Sequence, residues 1–177
     1  TGAIVLKAWN NIGISDTVST SAYVFNFNDA DVTAYVYNNT AISTSYGKAF
    51  LRQNGTVHLK NNIGYSASGT SFSGTFSSVN YCASDDATAD DWGGSGNRIS
   101  ASFTFVDADS DDYHLSDRDT VALSAGTDLS SDANLAFSDD IDGDTRSGNW
   151  CIGADEITDA IYRSVGTSTS NLNTASA

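Results

Sequence analysis

The sequence predicts an all-β chain wound as a solenoid, and two observations lead to this prediction. Ser, Thr, Asn, Asp and Gly dominate the 177 residues, proline is absent, and no long segment spaces its apolar residues as a helix would. A short phrase, an alternating strand followed by an Asn pair, occurs three times, in residues 6–12, 34–40 and 57–63. The pairs recur after 28 and then 23 residues, which is typical of one coil per repeat.

The alternation within each copy predicts a strand with one buried face. The first and third residues are small or apolar, and the second and fourth are long or polar, which is period two. The positions expected to face inward are Leu6, Ala8, Ala34, Val36, Val57 and Leu59. The residue after each pair, Ile12, Thr40 or Ile63, is expected to point back inside. The alternative is three unrelated Asn-Asn turns in an antiparallel sandwich.

Each Asn pair is expected to turn a corner between strands. Asn tolerates the left-handed backbone conformation better than other residues with a side chain. Stacked coils would also bring the amides within hydrogen-bonding reach of the next coil. The sequence therefore predicts a structural role for Asn10, Asn11, Asn38, Asn39, Asn61 and Asn62.

The remaining elements follow in chain order. The first coil is expected over residues 3–28, and the second begins near residue 32. An Asn-Gly turn precedes the third copy, a weaker fourth coil covers residues 66–84, and a further strand covers residues 99–106. The predicted organisation is coils in residues 1–98, a terminal strand and capping segment in 99–156, and a tail, linker or assembly strand in 157–177.

The charge balance limits the classes of partner. Eight basic and 22 acidic residues give a net charge of −14, which argues against nucleic-acid partners and bare anionic membranes. No apolar segment is long enough to insert across a bilayer. The outward aromatic residues Trp9, Tyr35 and Tyr37 are expected to share one lateral face, where they could stack on glycans. A cross-strand aromatic ladder that covers the sheet is the alternative.

The later motifs resemble a known family. They are Phe-Val-Asp at 105–107, Asp-Tyr-His-Leu-Ser at 112–116, the segment 121–126, Asp-Ile-Asp-Gly-Asp-Thr-Arg at 140–146 and Trp-Cys-Ile-Gly-Ala-Asp-Glu at 150–156. This order resembles the C-terminal part of the pectate-lyase-like proteins, which occur in secreted, viral and metagenomic chains. The resemblance implies a right-handed parallel β-helix of about four coils, with an irregular C-terminal capping segment that plugs the stack.

The two cysteines depart from that family pattern. Cys151 stands where the pattern has Asp, and Cys82 where it usually has a polar residue. We expect them to form a disulfide that pins the terminal segment to the last coil, worth about 4 kcal/mol for a loop of about seventy residues. A disulfide would imply an oxidising, extracellular setting. Two unpaired buried thiols are the alternative.

Acidic residues in the terminal segment raise the question of a metal. Asp140, Asp142 and Asp144 alternate like the first ligands of a calcium loop, but Gly143 and Cys151 stand at the wrong positions for an EF-hand. Calcium remains a possible ligand because carboxylate oxygens are plentiful and basic neighbours are few, and no other cofactor is expected. The alternative is a tight structural loop in which Arg146 bridges carboxylates and backbone.

Two functional classes follow from the sequence. A lyase or an inverting glycosidase needs acids or bases grouped on one lateral face, and the coils carry few of either, so no catalytic residue is expected. The favoured prediction is a non-catalytic, extracellular structural or adhesive module, such as a subunit of a surface filament or virion appendage with glycan contact. An uncapped first coil and a β-capable tail predict head-to-tail self-association. The alternative is the C-terminal part of a carbohydrate-active β-helix enzyme. The N-glycosylation pattern occurs at Asn38 and Asn54, where plain turns explain it equally well.

Overall fold

A computed structural model describes residues 4–157, and the structural statements below concern those residues. They contain thirteen strands and two short 3₁₀ helices, Thr88–Asp90 and Ala108–Ser110, but no α-helix. The strands are β1 Ile4–Trp9, β2 Ile12–Ser15, β3 Tyr23–Phe27, β4 Val32–Tyr37, β5 Thr40–Ser43, β6 Lys48–Arg52, β7 Thr56–Lys60, β8 Ile63–Ser66, β9 Thr70–Ser73, β10 Ser78–Asn80, β11 Ala83–Ser84, β12 Phe105–Asp107 and β13 Asp112–Leu115. No helix in this part of the chain is long and apolar enough to cross a membrane.

Eleven of the strands form three parallel sheets. Sheet 1 has the order β1-β4-β7-β10, sheet 2 has β2-β5-β8-β11 and sheet 3 has β3-β6-β9. Consecutive strands enter different sheets, and every third strand returns to the same sheet beside its predecessor. The prediction of an all-β chain with parallel strands is therefore confirmed.

The register of sheet 1 follows the repeated phrase. Val36 of β4 pairs with Ala8 of β1 on one side and with Leu59 of β7 on the other, and both pairings are parallel. Val79 of β10 continues the row beyond Leu59. These side chains enter the interior cluster, where Val36, Leu59 and Val79 are fully buried. The parallel register excludes the antiparallel sandwich.

Sheet 3 fills the interior with a stack of rings. Phe25, Phe50 and Phe72 occupy successive strands, with centroids 5.1 Å apart and nearly parallel planes. Small residues of sheet 2 make room for the rings. A Cβ on Gly64 would lie 2.9 Å from Cε2 of Phe72, and one on Gly13 would come within 3.5 Å of the Phe25 ring. Large rings on one sheet and small residues on another therefore share the interior.

The residues after the Asn pairs lie on the outer face of sheet 2, so their predicted inward orientation is wrong. Ile63 packs outside the interior cluster, against Ala122 and Ile152 of the terminal segment. The hydroxyl oxygen of Thr40 accepts a hydrogen bond from the backbone N–H of Ala154. Strand alternation explains the reversal, because the inward position of β8 is taken by Gly64.

The first residue of each Asn pair turns the backbone. Asn10, Asn38 and Asn61 have φ values of 53°, 48° and 52°, which is the left-handed conformation. Tyr81 and Gly96 take left-handed values at two later corners, 51° and 73°. The chain therefore turns the same corner five times, although an Asn pair occupies only three of these corners.

The residue that follows each turn points inward and forms a ladder. The backbone N–H of Asn11 donates to Oδ1 of Asn39 (3.1 Å), and that of Asn39 donates to Oδ1 of Asn62 (2.9 Å). The backbone N–H of Asn62 donates to Sγ of Cys82 (3.4 Å), and the backbone N–H of Cys82 donates to Oδ1 of Asn97 (3.0 Å). The successive separations are 28, 23, 20 and 15 residues. We call these five residues the inner ladder.

The two ends of the three sheets differ. Beyond the last strands, Phe76 and Ala89 are buried in the interior cluster, and the Trp92 ring meets the Phe76 ring edge-on with 5.0 Å between centroids. At the other end, β1, β2 and β3 each have one neighbouring strand in the described chain. Several large apolar side chains are exposed there, among them Ile4, Leu6, Ile14 and Tyr23.

The terminal segment, residues 99–157, differs from expectation in two ways. The predicted strand over residues 99–106 is wrong for most of its length, because Ser100 takes a left-handed φ of 52° and β12 begins only at Phe105. Residues 115–157 also pack along the outer faces of sheets 1 and 2 in two clusters, instead of plugging the end of the stack. The predicted tail beyond residue 157 lies outside the described residues.

Candidate functional site

The left-handed asparagines bind the terminal segment to the sheets. Nδ2 of Asn38 donates to the carbonyl oxygens of Cys151 (3.1 Å) and Gly153 (2.9 Å). Asn61 binds Thr127 twice, since its amide donates to the Thr127 carbonyl and accepts from the Thr127 N–H. Nδ2 of Asn10 donates to the carbonyl of Asp139 (2.8 Å). The two residues of each Asn pair thus have different roles. The first binds the terminal segment, and the second belongs to the inner ladder.

A buried ion pair fixes the end of this segment. Nη1 of Arg146 lies 3.0 Å from Oε2 of Glu156, and both side chains are buried. The same guanidinium donates to the carbonyls of Gly153 and Ala154 and to Oδ1 of Asn10. Burial raises the pKa of Glu156, although its hydrogen bonds and Arg146 oppose that shift. Both members of the pair lie in the terminal segment, and the hydrogen bond from Arg146 to Asn10 joins that segment to the first corner. Arg146 thus bridges a carboxylate and backbone carbonyls, as expected for a structural loop.

Aspartates shape most of the turns in the terminal segment. Oδ1 of Asp119 accepts the N–H groups of Val121 and Ala122, and Oδ1 of Asp140 accepts those of Asp142 and Asp144. Similar contacts occur at Asp128 and Asp132. A short carboxylate that accepts the N–H two residues ahead replaces a backbone turn. Much of the acidity of this segment therefore has a conformational use.

The predicted aromatic face exists, but it is partly covered. Tyr37 is only 1% exposed, because Leu129, Leu135 and Trp150 of the terminal segment pack against it. Tyr37 therefore cannot offer a ring to a sugar, which corrects its assignment as a glycan contact. Tyr35 is half-buried and stacks on His58 with 5.3 Å between centroids. Trp9 remains 41% exposed at the open end.

Three carboxylates meet where the hairpin of β12 and β13 approaches the 140–144 loop. Oxygens of Asp140, Asp142 and Asp155 lie within 4.8 Å of one another. Beside them, Nδ1 of His114 lies 2.6 Å from Asp112, and Nε2 lies 3.6 Å from Asp142. The hydrogen bond that the His114 ring donates to Asp112 raises the pKa of His114, and burial raises that of Asp155 to about 6. Asp155 and His114 were missed at the sequence level, because both are distant from the 140–144 loop in sequence.

This cluster fits a calcium ion poorly. Asp144 contributes its backbone N–H, not its carboxylate, to the loop, so the predicted set Asp140, Asp142 and Asp144 does not form. Both oxygens of Asp140 already accept backbone N–H groups, and Oδ2 of Asp155 accepts that of Leu115. Calcium takes six to eight oxygen ligands, and three of the six carboxylate oxygens here already accept backbone N–H groups.

The cysteines do not form the predicted disulfide. Both are free and buried, and they belong to different clusters: Cys82 lies in the interior, and Cys151 lies in the terminal segment where it packs on sheet 2. Cys82 substitutes for an amide in the inner ladder, where its sulfur accepts from Asn62 and donates to the carbonyl of Asn80. Burial raises the pKa of Cys82 to about 12 and that of Cys151 to about 11, so neither is a reactive thiolate near neutral pH.

The histidines and glycosylation patterns occupy separate places. Nδ1 of His58 lies 2.9 Å from the hydroxyl of Ser78 on sheet 1, and burial followed by the nearby Lys60 charge lowers the pKa of His58. Asn38 is fully buried, so a glycan cannot be attached there in the folded protein. Asn54 is exposed, and its amide donates to Oδ1 of Asn28.

Comparison with known proteins gives no family for the chain. No family model matches it, and neither a curated protein nor a solved structure does so.

Proposed function

We propose that the chain is a right-handed parallel β-helix of about four coils that acts as a non-catalytic structural or adhesive module. One observation carries the proposal: the terminal segment covers the outer faces of sheets 1 and 2 and is bound to all three Asn corners. An enzyme built on stacked coils would hold substrate against such a lateral face. Here the protein's own chain occupies that place.

The contacts of the terminal segment support a role in resisting mechanical force. Backbone carbonyls of Cys151, Gly153 and Thr127 are bound by asparagines on two different coils. Such a segment ties successive coils together along the stacking direction, whereas ladder bonds join only neighbouring coils. Shear between coils would therefore have to break both sets of hydrogen bonds.

The proposed setting is extracellular, as part of a secreted filament, a cell surface or a virion. The pectate-lyase-like resemblance and the acidic, Ser/Thr/Asn-rich composition support it. The free thiols remove the disulfide as an argument for an oxidising compartment. Glycan contact would use the exposed Trp9 and the half-buried Tyr35.

Self-association is proposed through the open end. The first-coil strands have a free edge within the described chain, and Leu6 and Ile14 expose apolar surface beside it. Because Phe76, Ala89 and Trp92 close the opposite end, a head-to-tail contact would need the tail of a neighbouring copy rather than a second open end. Of the proposed tail, residues 157–177, all but the first residue lie outside the described residues.

Three measurements test the scaffold proposal. Incubation with acidic polysaccharides is expected to release no product, and a glycan array is expected to show any binding abolished by Trp9→Ala. For assembly, multi-angle light scattering of the full chain, a chain ending at residue 157 and the Leu6→Lys variant is expected to show oligomers only for the first. Product release, or oligomers that are unchanged in both variants, would contradict the proposal.

A second candidate is a carbohydrate-active enzyme, and the observation that favours it is the Asp155 environment. The pKa of Asp155 is raised to about 6 by burial, and the exposed carboxyl group of Asp142 lies beside it. Acid-base catalysis uses such a pair. If this candidate is correct, polysaccharide cleavage is measurable and Asp155→Asn abolishes it without unfolding the chain.

A further inference from the structure

A groove lined by aromatic rings lies beside sheet 2. It has a volume of about 400 Å³ and runs between β8 and the hairpin of β12 and β13. Four aromatic side chains line it: Tyr65, Phe103, Phe105 and Tyr113. The Phe105 ring meets Tyr113 at 77° and Phe103 at 31°, with centroids 5.3 Å and 5.9 Å apart. The groove therefore combines rings in more than one orientation.

The aromatic wall is held by packing on its other side. Phe103 and Phe105 are half-buried against the cluster that contains Leu115 and Ile152, and Tyr113 is 7% exposed. Tyr65 lies on β8 and is half-buried. Because these contacts fix the rings, a ligand would not have to order them, which keeps the entropic cost of binding low.

The charge around this groove is negative. Asp109 lines it, is exposed and makes no hydrogen bond within the described chain. Asp107, Asp111 and Asp112 lie in the same hairpin, and the groove lining contains no lysine or arginine. The pKa of Tyr113 is raised, first by burial and then by Asp111, Tyr65 and Asp109, which places these charges close to the ring.

We propose that this groove binds an organic cation, the lysine or arginine side chain of a basic peptide. The apolar stem would pack on the rings, the charged group would lie over a ring face, and Asp109 would neutralise it. A neutral sugar could stack on the same rings but would gain nothing from the carboxylates. An acidic polysaccharide would be repelled by them. The site is separate from Trp9 and Tyr35, and it does not depend on the scaffold role.

Matched probes separate a cation from an apolar ligand. The full chain labelled with ¹⁵N is titrated with Nα-acetyl-lysine methylamide, with its neutral counterpart Nα-acetyl-norleucine methylamide and with a neutral hexasaccharide. We expect saturable shifts around Tyr65 and Tyr113 for the lysine probe, with millimolar affinity, and binding at least about fivefold weaker for the other two. Equal binding of the neutral probe, tighter binding of the sugar or no saturable shift would overturn the proposal.

Substitutions at the groove separate the contribution of the aromatic ring to lysine binding from that of the carboxylate. Tyr65→Leu keeps an apolar side chain but removes the ring, and is expected to weaken lysine binding about three- to tenfold, whereas Tyr65→Phe leaves it unchanged. Asp109→Asn is expected to weaken binding about threefold or more and to reduce its salt dependence. Asp16→Asn removes an exposed charge on the first coil and serves as the control. Equal losses for Asp16→Asn and Asp109→Asn would leave only a general charge effect and refute the site.

Discussion

Removing the Asn62 side chain tests whether the inner ladder holds the coils together. Asn62 is fully buried, and its Oδ1 accepts from the backbone N–H of Asn39 (2.9 Å) and from Nδ2 of the same residue (3.1 Å). Its own Nδ2 donates to the carbonyl of Val36 (2.7 Å). Asn62→Ala leaves the Asn39 N–H buried without an acceptor and takes a donor from Val36.

The magnitude follows from these contacts. A buried polar group left without its partner costs about 1–3 kcal/mol, and the substitution affects two backbone groups and one amide. We therefore expect Asn62→Ala to lower the free energy of unfolding by about 3–5 kcal/mol. This is a large part of the 5–15 kcal/mol that is typical of a domain.

Asn11 provides the matched control, because it occupies the same ladder position in the exposed first coil. Its Nδ2 donates to the carbonyl of Trp9 and to Oδ1 of Asn39, and that Oδ1 would still accept from the backbone N–H of Asn11 after the substitution. Asn11→Ala is expected to cost about 1 kcal/mol or less.

Urea denaturation followed by circular dichroism and tryptophan fluorescence measures both variants. An Asn62→Ala protein that is unfolded while Asn11→Ala folds normally agrees with the reasoning. Losses that are equal within about 0.5 kcal/mol would refute it, since the ladder would then contribute no more inside than at the edge.

Three further predictions address the interior, the thiols and the terminal segment. Gly64→Ala is expected to destabilise the protein by about 1–3 kcal/mol, because the new Cβ would meet the Phe72 ring at 2.9 Å; an unchanged unfolding midpoint would contradict the tight packing of rings against sheet 2. Cys82→Asn is expected to extend the ladder and to stay within about 1 kcal/mol of the parent, whereas Cys82→Ala loses about 1–2 kcal/mol since the Asn62 N–H loses its acceptor. A thiol reagent is expected to detect two thiols only after unfolding without reductant, and finding none would restore the disulfide. The folded pKa of Asp155, about 6, lies above its unfolded value of about 3.9, so the folded state binds this proton more tightly. The resulting stability is present below about pH 4 and is lost as the pH rises through 6, by up to about 3 kcal/mol; with EDTA present, Asp155→Asn is expected to flatten the stability profile between pH 4 and 6.5, and an unchanged profile would contradict the buried, protonated state.

The parallel strands and their corners could be predicted from sequence because their signals are local. Period-two alternation ahead of an Asn pair specifies both a buried face and a corner, and three copies in phase specify the register that pairs Val36 with Leu59. The two later corners were harder to detect. Cys82 and Asn97 take ladder positions after Tyr81 and Gly96, so the left-handed residue is no longer an asparagine and the spacing has shortened.

The course of the terminal segment could not be predicted from such signals. Its turns are set by aspartates that accept the N–H groups ahead of them, and such turns specify local bends but no direction across the molecule. The meeting of Asp155 with Asp140 depends on where the whole segment lies. The same is true of the groove beside Tyr65, because its rings come from a strand and a hairpin separated by forty residues or so.

The interval between ladder residues shortens from 28 to 15 along the chain, so each successive circuit of the three sheets uses fewer residues. The last interval holds no strand for sheet 3, and a 3₁₀ turn at Thr88–Asp90 stands beside β9 instead. Each shorter interval leaves fewer residues to form the strands that continue the three sheets. Duplicating the 23-residue interval between Asn39 and Asn62 would lengthen the three sheets without altering either of their ends. Duplicating the 15-residue interval between Cys82 and Asn97 would add no ring to the stack of Phe50 and Phe72, because that interval contains no strand of sheet 3.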